Sequence, residues 1–249
     1  MEIDVALVPS EARSWRDTVC IVIDELRASS TITTLLDSGC SRLYLTSGLQ
    51  TARRLGREHD GLLVGEREGI RPPGFDFNNS PAELSRGDVR GRVVVLSTSN
   101  GTKVLSQLTD TPATLIGCLL NARVSAEAAV SLAGQFGARV GVVCAGTLGR
   151  FALDDAVAAG VLVERITAAL RSRGEEASLT EAAVAAVRLY RSYPDLVTPL
   201  RESVAGRLVT KLGAGDDVPF CARVDVSSSV PILRPGAPLI VERLAPTSN

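Results

Sequence analysis

The sequence predicts a three-layer α/β/α fold on a largely parallel sheet, followed by a helix-rich C-terminal part. Three observations carry this. Short β-branched runs alternate with longer Ala- and Leu-rich stretches of helical period. The runs are apolar on both faces, as strands of a sheet covered on both sides must be. A chain of 249 residues, 45% of them hydrophobic, is long enough to bury a substantial core.

Strands are expected over residues 3–8, 18–24, 43–46, 62–65, 92–97, 114–117 and 138–145, with helices over 28–37, 49–57, 102–108 and 122–136 between them. After Gly146 the pattern turns helical, over 153–171, 180–191 and 194–212, with the polar segment 172–178 separating the first two. Strand character returns over 218–226, 231–233 and 238–241, where prolines suggest sheet edges. The chain reads as one domain over 1–249, with room for a helical subdomain at about 165–215.

Composition narrows the partners. A net charge of −1 produces no field that would draw in nucleic acid or anionic lipid, and 4% aromatics leave little for base stacking. The expected partner is a small molecule recognised locally, and a homodimer stays open. No stretch reaches the roughly 18–20 apolar residues of a membrane span. The start, MEIDVALVPSEAR, carries acids and no apolar core, so no signal peptide is expected. The five cysteines are scattered without a CxxC pair, which fits a reducing, cytoplasmic location.

Ligands of open α/β sheets bind beyond the carboxyl ends of the strands. Four loops there are rich in polar groups. The first, 24–31, places Asp24 where a carboxylate can hold a hard cation, Arg27 as a planar fork, and Ser29, Ser30 and Thr31 at a helix start. The second, 65–81, carries Glu66, Arg67, Asp76 and Asn79 between turn-forming glycines, and Ser80-Pro81 reads as a helix cap. The third, 97–103, offers hydroxyls and Asn100-Gly101-Thr102 to an oxyanion but lacks the spacing of a nucleotide-binding P-loop. The fourth, 144–155, runs from Cys144 through Gly146 to Asp154-Asp155, which suit either a metal or the helix dipole. Cys144 and Arg150 also have the C-x₅-R spacing of cysteine-dependent phosphatases, although Cys144 ends an apolar run, where a thiol is usually a buried hydrophobe.

Missing residues exclude other chemistries. His59 is the single histidine, so a two-histidine metal site is not expected. There is no GxSxG elbow. Leu26 stands where an aspartyl-phosphate phosphatase of the haloacid dehalogenase type would place a second Asp after Asp24. Any metal should therefore be hard and oxygen-bound, with Mg²⁺ favoured.

Taken together, the loops resemble the 2-phosphosulfolactate phosphatase family. The resemblance runs through Asp24-x-x-Arg27-Ala28-Ser29-Ser30-x-Ile32, Gly65-Glu66-Arg67-x-Gly69, Gly74-Phe75-Asp76-x-x-Asn79-Ser80-Pro81, Ser99-Asn100-Gly101-Thr102 and Asn121-Ala122. It continues through Cys144-Ala145-Gly146 to Phe151, Asp155 and Ala159-Gly160, with a weaker echo at Asp217-Val218. Position 154 is usually Glu in the family and position 158 often Cys, where this chain has Asp154 and Ala158. The resemblance implies Mg²⁺-dependent hydrolysis of 2-phospho-3-sulfolactate to sulfolactate and phosphate, on a route to coenzyme M. In that reading Asp24, Asp76 and Asp155 bind metal or orient water. Arg27 and Arg67 neutralise the substrate's anionic groups, and Ser29, Glu66, Asn79, Ser80, Asn100, Gly101, Thr102 and Gly146 complete its binding site. Two rivals stay open: a metal-independent phosphatase using Cys144 and Arg150, and a non-catalytic sensor of an anionic metabolite.

Overall fold

The computed structural model describes residues 1–12, 15–98, 101–108, 110–234 and 236–245, and for 101–103 the backbone only. The expectations at Ser99 and Asn100, and for the side chain of Thr102, lie outside this description. In chain order the elements are β1 (Glu2–Ala6), β2 (Thr18–Ile23), α1 (Ala28–Asp37), β3 (Arg42–Thr46), α2 (Leu49–His59), β4 (Leu62–Gly65), α3 (Pro81–Leu84), β5 (Val93–Ser97), α4 (Gly101–Gln107) and β6 (Ala113–Ile116). They continue with α5 (Ala122–Phe136), β7 (Arg139–Cys144), α6 (Leu153–Ser172), β8 (Ser178–Leu179), α7 (Glu181–Arg191), α8 (Val197–Glu202), α9 (Val204–Lys211), α10 (Asp217–Cys221), β9 (Pro231–Arg234) and β10 (Leu239–Arg243).

One mixed sheet joins the described strands in the order β4-β5-β3-β10-β9-β6-β2-β7-β1-β8. Within β4-β5-β3 and within β6-β2-β7-β1-β8 every pairing is parallel. The β9–β10 hairpin sits between these two halves and pairs antiparallel on each side. Alternation along the strands builds the layers. On β2, Val19, Ile21 and Ile23 join a core with α5, α6 and α7, whereas Cys20 and Val22 face a second core with Ile32 and Leu35 of α1. On β3 and β5, Tyr44 and Val95 pack under Ala52 and Leu55 of α2. The sheet coils enough that Val22 and Ile116 of one half and Leu45 and Leu96 of the other line one small cavity. That coiling carries the strand ends of both halves to a common site.

The C-terminal third departs from expectation in three places. The stretch 194–212 forms two helices, because Ser203 is extended (φ −62°, ψ 159°) and caps α9, its hydroxyl accepting from the Gly206 N–H at 2.8 Å. The stretch 218–226 contains the short helix α10 and no strand, since a four-residue apolar run cannot distinguish helix from strand. The prolines mark no edge. Pro231 is the first residue of β9 and Pro238 precedes β10, positions that cost no ladder bond, so the hairpin lies inside the sheet. Among the described residues, no helix is long and apolar enough to cross a membrane.

Candidate active site

A cavity of about 480 Å³ opens where the loops after β2, β4, β5 and β7 meet. Asp24 and Arg27 come from the first loop, Glu66, Arg67 and Asn79 from the second, Thr98 from the third, and Gly146, Asp154 and Asp155 from the fourth. Helix α9 closes the remaining side with Val204, Ala205, Leu208 and Val209. A roomier groove of about 970 Å³ lies between α5 and α6, but Glu127 is the single carboxylate lining it, so it lacks convergent acidic groups.

The acidic wall is built from the backbone outward. Asp155 stands in the first turn of α6, where the helix dipole tolerates a carboxylate. Its Oδ1 accepts from the Glu25 N–H at 2.8 Å and its Oδ2 from the Gly146 N–H at 2.8 Å, tying the first loop to the fourth. Gly146 has φ +67°, and a Cβ there would lie 2.2 Å from the Arg150 carbonyl oxygen, so this turn requires glycine. Asp24 accepts from the Ala28 N–H at 3.2 Å. Asp154 is 2% exposed, and its Oδ1 has no hydrogen-bond partner.

Burial, reinforced by the Asp24 charge, pushes the Asp154 carboxyl up to about 7. Burial together with the Asp154 and Asp24 charges holds Asp155 well above the usual carboxylate range. Behind them, burial lifts the fully enclosed Glu25 to about 8 against the hydrogen bonds it accepts from the Leu119 N–H and the Ser30 hydroxyl. Four carboxyl groups thus crowd a poorly solvated corner.

The basic residues are engaged with the protein itself. Arg27 is buried and donates from Nη1 to Asp217 Oδ2 at 2.8 Å, and the side chain of Asp217 is fully enclosed. Asp217 Oδ1 in turn accepts from the Ser80 hydroxyl at 2.7 Å and the Ala82 N–H at 3.1 Å. Arg67 donates to the carbonyl oxygens of Glu66, Ser47 and Ser97 and to Ser97 Oγ, stapling the loops after β3, β4 and β5.

Several expected site residues stand elsewhere. Asp76 is exposed, lies outside the cavity lining, and accepts from the Leu63 N–H at 2.7 Å, holding its loop to β4. Ser29 is buried behind the first loop, accepting from the Asp24 N–H at 2.9 Å. Ser80 caps α3 and binds Asp217, as its Ser-Pro signature suits, and lies outside the lining. Glu66 lines the cavity while accepting from the Gly69 N–H at 2.8 Å. Asn79 lines it too, with a buried Oδ1 that lacks a partner. Gly101 begins α4.

Cys144 lies in β7, fully buried and outside the cavity lining. Burial, then the charges of Asp155 and Asp154, push its thiol well above its ordinary value, and Arg150 is exposed. A thiolate nucleophile is disfavoured on each count. Asp217 and α9 are not among the expected site residues. The pair Asp154-Asp155 was visible as a motif, but the partnership of Asp217 with Arg27, 190 residues apart, has no local signal.

Comparison with known proteins points the same way. The chain matches the family described as 2-phosphosulpholactate phosphatase over residues 6–236. It is 39% identical to a probable 2-phosphosulfolactate phosphatase of Thermus thermophilus over 235 residues, covering 94% of this chain and 95% of the relative. Proteins of the same description from Deinococcus radiodurans, at 38% over 95% of each chain, and from Clostridium acetobutylicum, at 31% over 93% of this chain and 97% of the relative, are similar along their length. Because this likeness extends through every strand-end loop that builds the cavity, the chain belongs to the 2-phosphosulfolactate phosphatase family of phosphoric monoester hydrolases.

Proposed function

We propose that this protein hydrolyses 2-phospho-3-sulfolactate to 3-sulfolactate and phosphate, with Mg²⁺ held by Asp24 and Asp154, in the cytoplasm and on a route to coenzyme M. The supporting observation is electrostatic. The substrate carries phosphate, sulfonate and carboxylate groups, yet the described cavity lining holds Asp24, Glu66, Glu68, Asp154 and Asp155 against Arg27 and Arg67. Ionised, such a wall would repel the substrate, so these carboxyls must hold either protons or a cation, and the unpartnered Asp154 Oδ1 is a ready ligand. Among the described residues no three His, Cys, Asp or Glu side chains are disposed as a metal cage. Mg²⁺ needs none, since it commonly takes one or two carboxylates and fills its octahedron with water and phosphate oxygens.

Bound there, Mg²⁺ supplies polarisation of the phosphoryl oxygens. The protein's own groups do the rest. Asp155 spends both oxygens on backbone N–H groups and so fixes the two loops that present Asp24 and Asp154. Arg27, braced by Asp217 and by the Gly69 carbonyl, turns its remaining donors toward a phosphate or sulfonate oxygen. Asn79 offers a neutral polar group from the second loop. Water adds to phosphorus, the P–O ester bond breaks, and the hydroxyl of sulfolactate departs.

The test is phosphate release from 2-phospho-3-sulfolactate with EDTA and with Mg²⁺ restored, in wild type and Cys144→Ser. Activity lost in EDTA, recovered with Mg²⁺ and kept in Cys144→Ser is expected. Activity that survives EDTA but not Cys144→Ser would return the mechanism to the thiol. Binding without turnover would make the protein a sensor.

A further inference from the structure

The cavity mouth breaks a local rule of chain conformation, and the break points to a residue that touches substrate. Thr147 and Arg150 exchange both backbone hydrogen bonds at 3.0 Å, closing a two-residue turn over Leu148 and Gly149. Both central residues are left-handed, with φ +53° and +76°, which makes this a type I′ turn. Its first central position favours Asn, Asp or Gly, because a larger L-side chain in that region crowds its own backbone. Leu148 gains no compensating burial, since it is 85% exposed. Leucine here is unfavourable twice, through backbone strain and through apolar surface left in water.

The turn after β4 provides a contrast of the same shape. Arg67 and Ile70 exchange backbone hydrogen bonds, and Glu68 and Gly69 have φ +53° and +81°. There the first central residue is charged, and water can solvate it. Leu148 and Glu68 both line the cavity. The rim that Leu148 shares with Val204 and Leu208 of α9 is apolar and open, 58% exposed at Val204 and 40% at Leu208. An apolar lip around an acid-lined cavity does nothing for phosphate or sulfonate oxygens. It suits the carbon frame that carries them.

We propose that Leu148 is a specificity-determining residue, covering the carbon frame of the bound phosphate ester together with Val204 and Leu208 and keeping bulk water from the rest of the cavity. This deepens the phosphatase reading and rests on it. The structural cost at Leu148 is then offset when the substrate, absent from the folded free protein, buries the side chain.

The experiment compares wild type with Leu148→Asn and Leu148→Gly, both suited to the turn, by KM for 2-phospho-3-sulfolactate, by the inhibition constant of inorganic phosphate, and by Tm. Expected are a KM raised about tenfold, a phosphate constant moved less than about twofold, and a Tm equal to or above wild type. An unchanged KM with a raised Tm would overturn the proposal, leaving an ordinary strained turn. A Tm several degrees lower would also overturn it, by making Leu148 a packing residue. If wild type does not hydrolyse 2-phospho-3-sulfolactate, that substrate assignment fails alone. The same comparison then runs with p-nitrophenyl phosphate, whose ring also needs an apolar cover, and the same outcomes decide.

Discussion

The second and fourth loops reach the same cavity, each with one buried polar oxygen left unpartnered, a neutral amide at Asn79 and a carboxylate at Asp154, but their other charged groups are used differently. In the second, Arg67 is engaged by three carbonyls and a hydroxyl, Asp76 by the Leu63 N–H, and Glu66 by the Gly69 N–H. These side chains shape a long loop that has little regular structure to satisfy its backbone. In the fourth, Asp154 is buried with an oxygen that no protein donor reaches, and its pKa is raised. A group left unsatisfied at a cost is a stronger sign of chemistry than one whose hydrogen bonds are complete. Polar density in a loop shows that something is being held. Only the destination of each bond shows whether that something is the protein or a ligand.

The largest expected effect tests this contrast directly. Asp154→Asn should lower kcat by at least about 10²-fold while the protein stays folded, as loss of a metal-positioning carboxylate does. Asp76→Asn, the matched change in the second loop, should leave kcat within about threefold, with any cost appearing as a lower Tm. Steady-state phosphate release and thermal melts on both variants suffice. Equal losses of kcat in the two would mean that Asp76 reaches the chemistry after all.

A smaller effect separates charge from geometry at Arg67. Lysine keeps the charge but cannot bridge the loops after β3, β4 and β5 with a planar fork. Arg67→Lys should therefore cost about 1–3 kcal/mol of stability through carbonyls left without donors. Its kcat/KM should change less than about threefold. A tenfold rise in KM with an unshifted urea midpoint would show the guanidinium facing substrate, and the contrast between the loops would fail.

The sequence carried the parts of this architecture that local chemistry decides. The fully apolar run of β2 states a strand buried on both faces, the helices Ala28–Asp37 and Ala122–Phe136 end where their periodicity ends, and Ser80-Pro81 announces a capped helix. What stayed hidden depends on partners far along the chain. Nothing near Val218 shows that the preceding Asp217 closes a buried pair with Arg27, so the segment read as a strand. Nothing near Pro231 shows that β9 will lie between β6 and β10. Asp24 and Asp155 line the cavity because the loops that follow strands of an open α/β sheet feed its ligand-facing edge, a rule that needs no distant partner to be known. Asp76 was misplaced because a polar side chain on a long loop has many structural uses, and the sequence does not record which backbone N–H it will meet.

The smallest expected effect concerns pH and follows from the crowding in the acidic corner. Without a cation, the native protein holds protons on Glu25, at about 8, and on Asp154, at about 7, and also on Asp155. In the unfolded chain all three return to the ordinary carboxylate range near 4 and lose those protons. Between about pH 4 and pH 8 the native state therefore binds more protons than the unfolded state, and stability must fall as pH rises. In EDTA, Tm at pH 8 should lie at least about 5 °C below its value at pH 5.5. Mg²⁺ should reverse this, because it replaces protons as the compensating charge and competes best where protons are scarce. The rise in Tm on adding Mg²⁺ should accordingly be larger at pH 8 than at pH 5.5. In Asp154→Asn both the pH slope in EDTA and the Mg²⁺ response should shrink, whereas Asp76→Asn should keep them. A Tm that stays flat in EDTA across this range would mean the corner is already compensated by the protein, and the case for a cation there would fall.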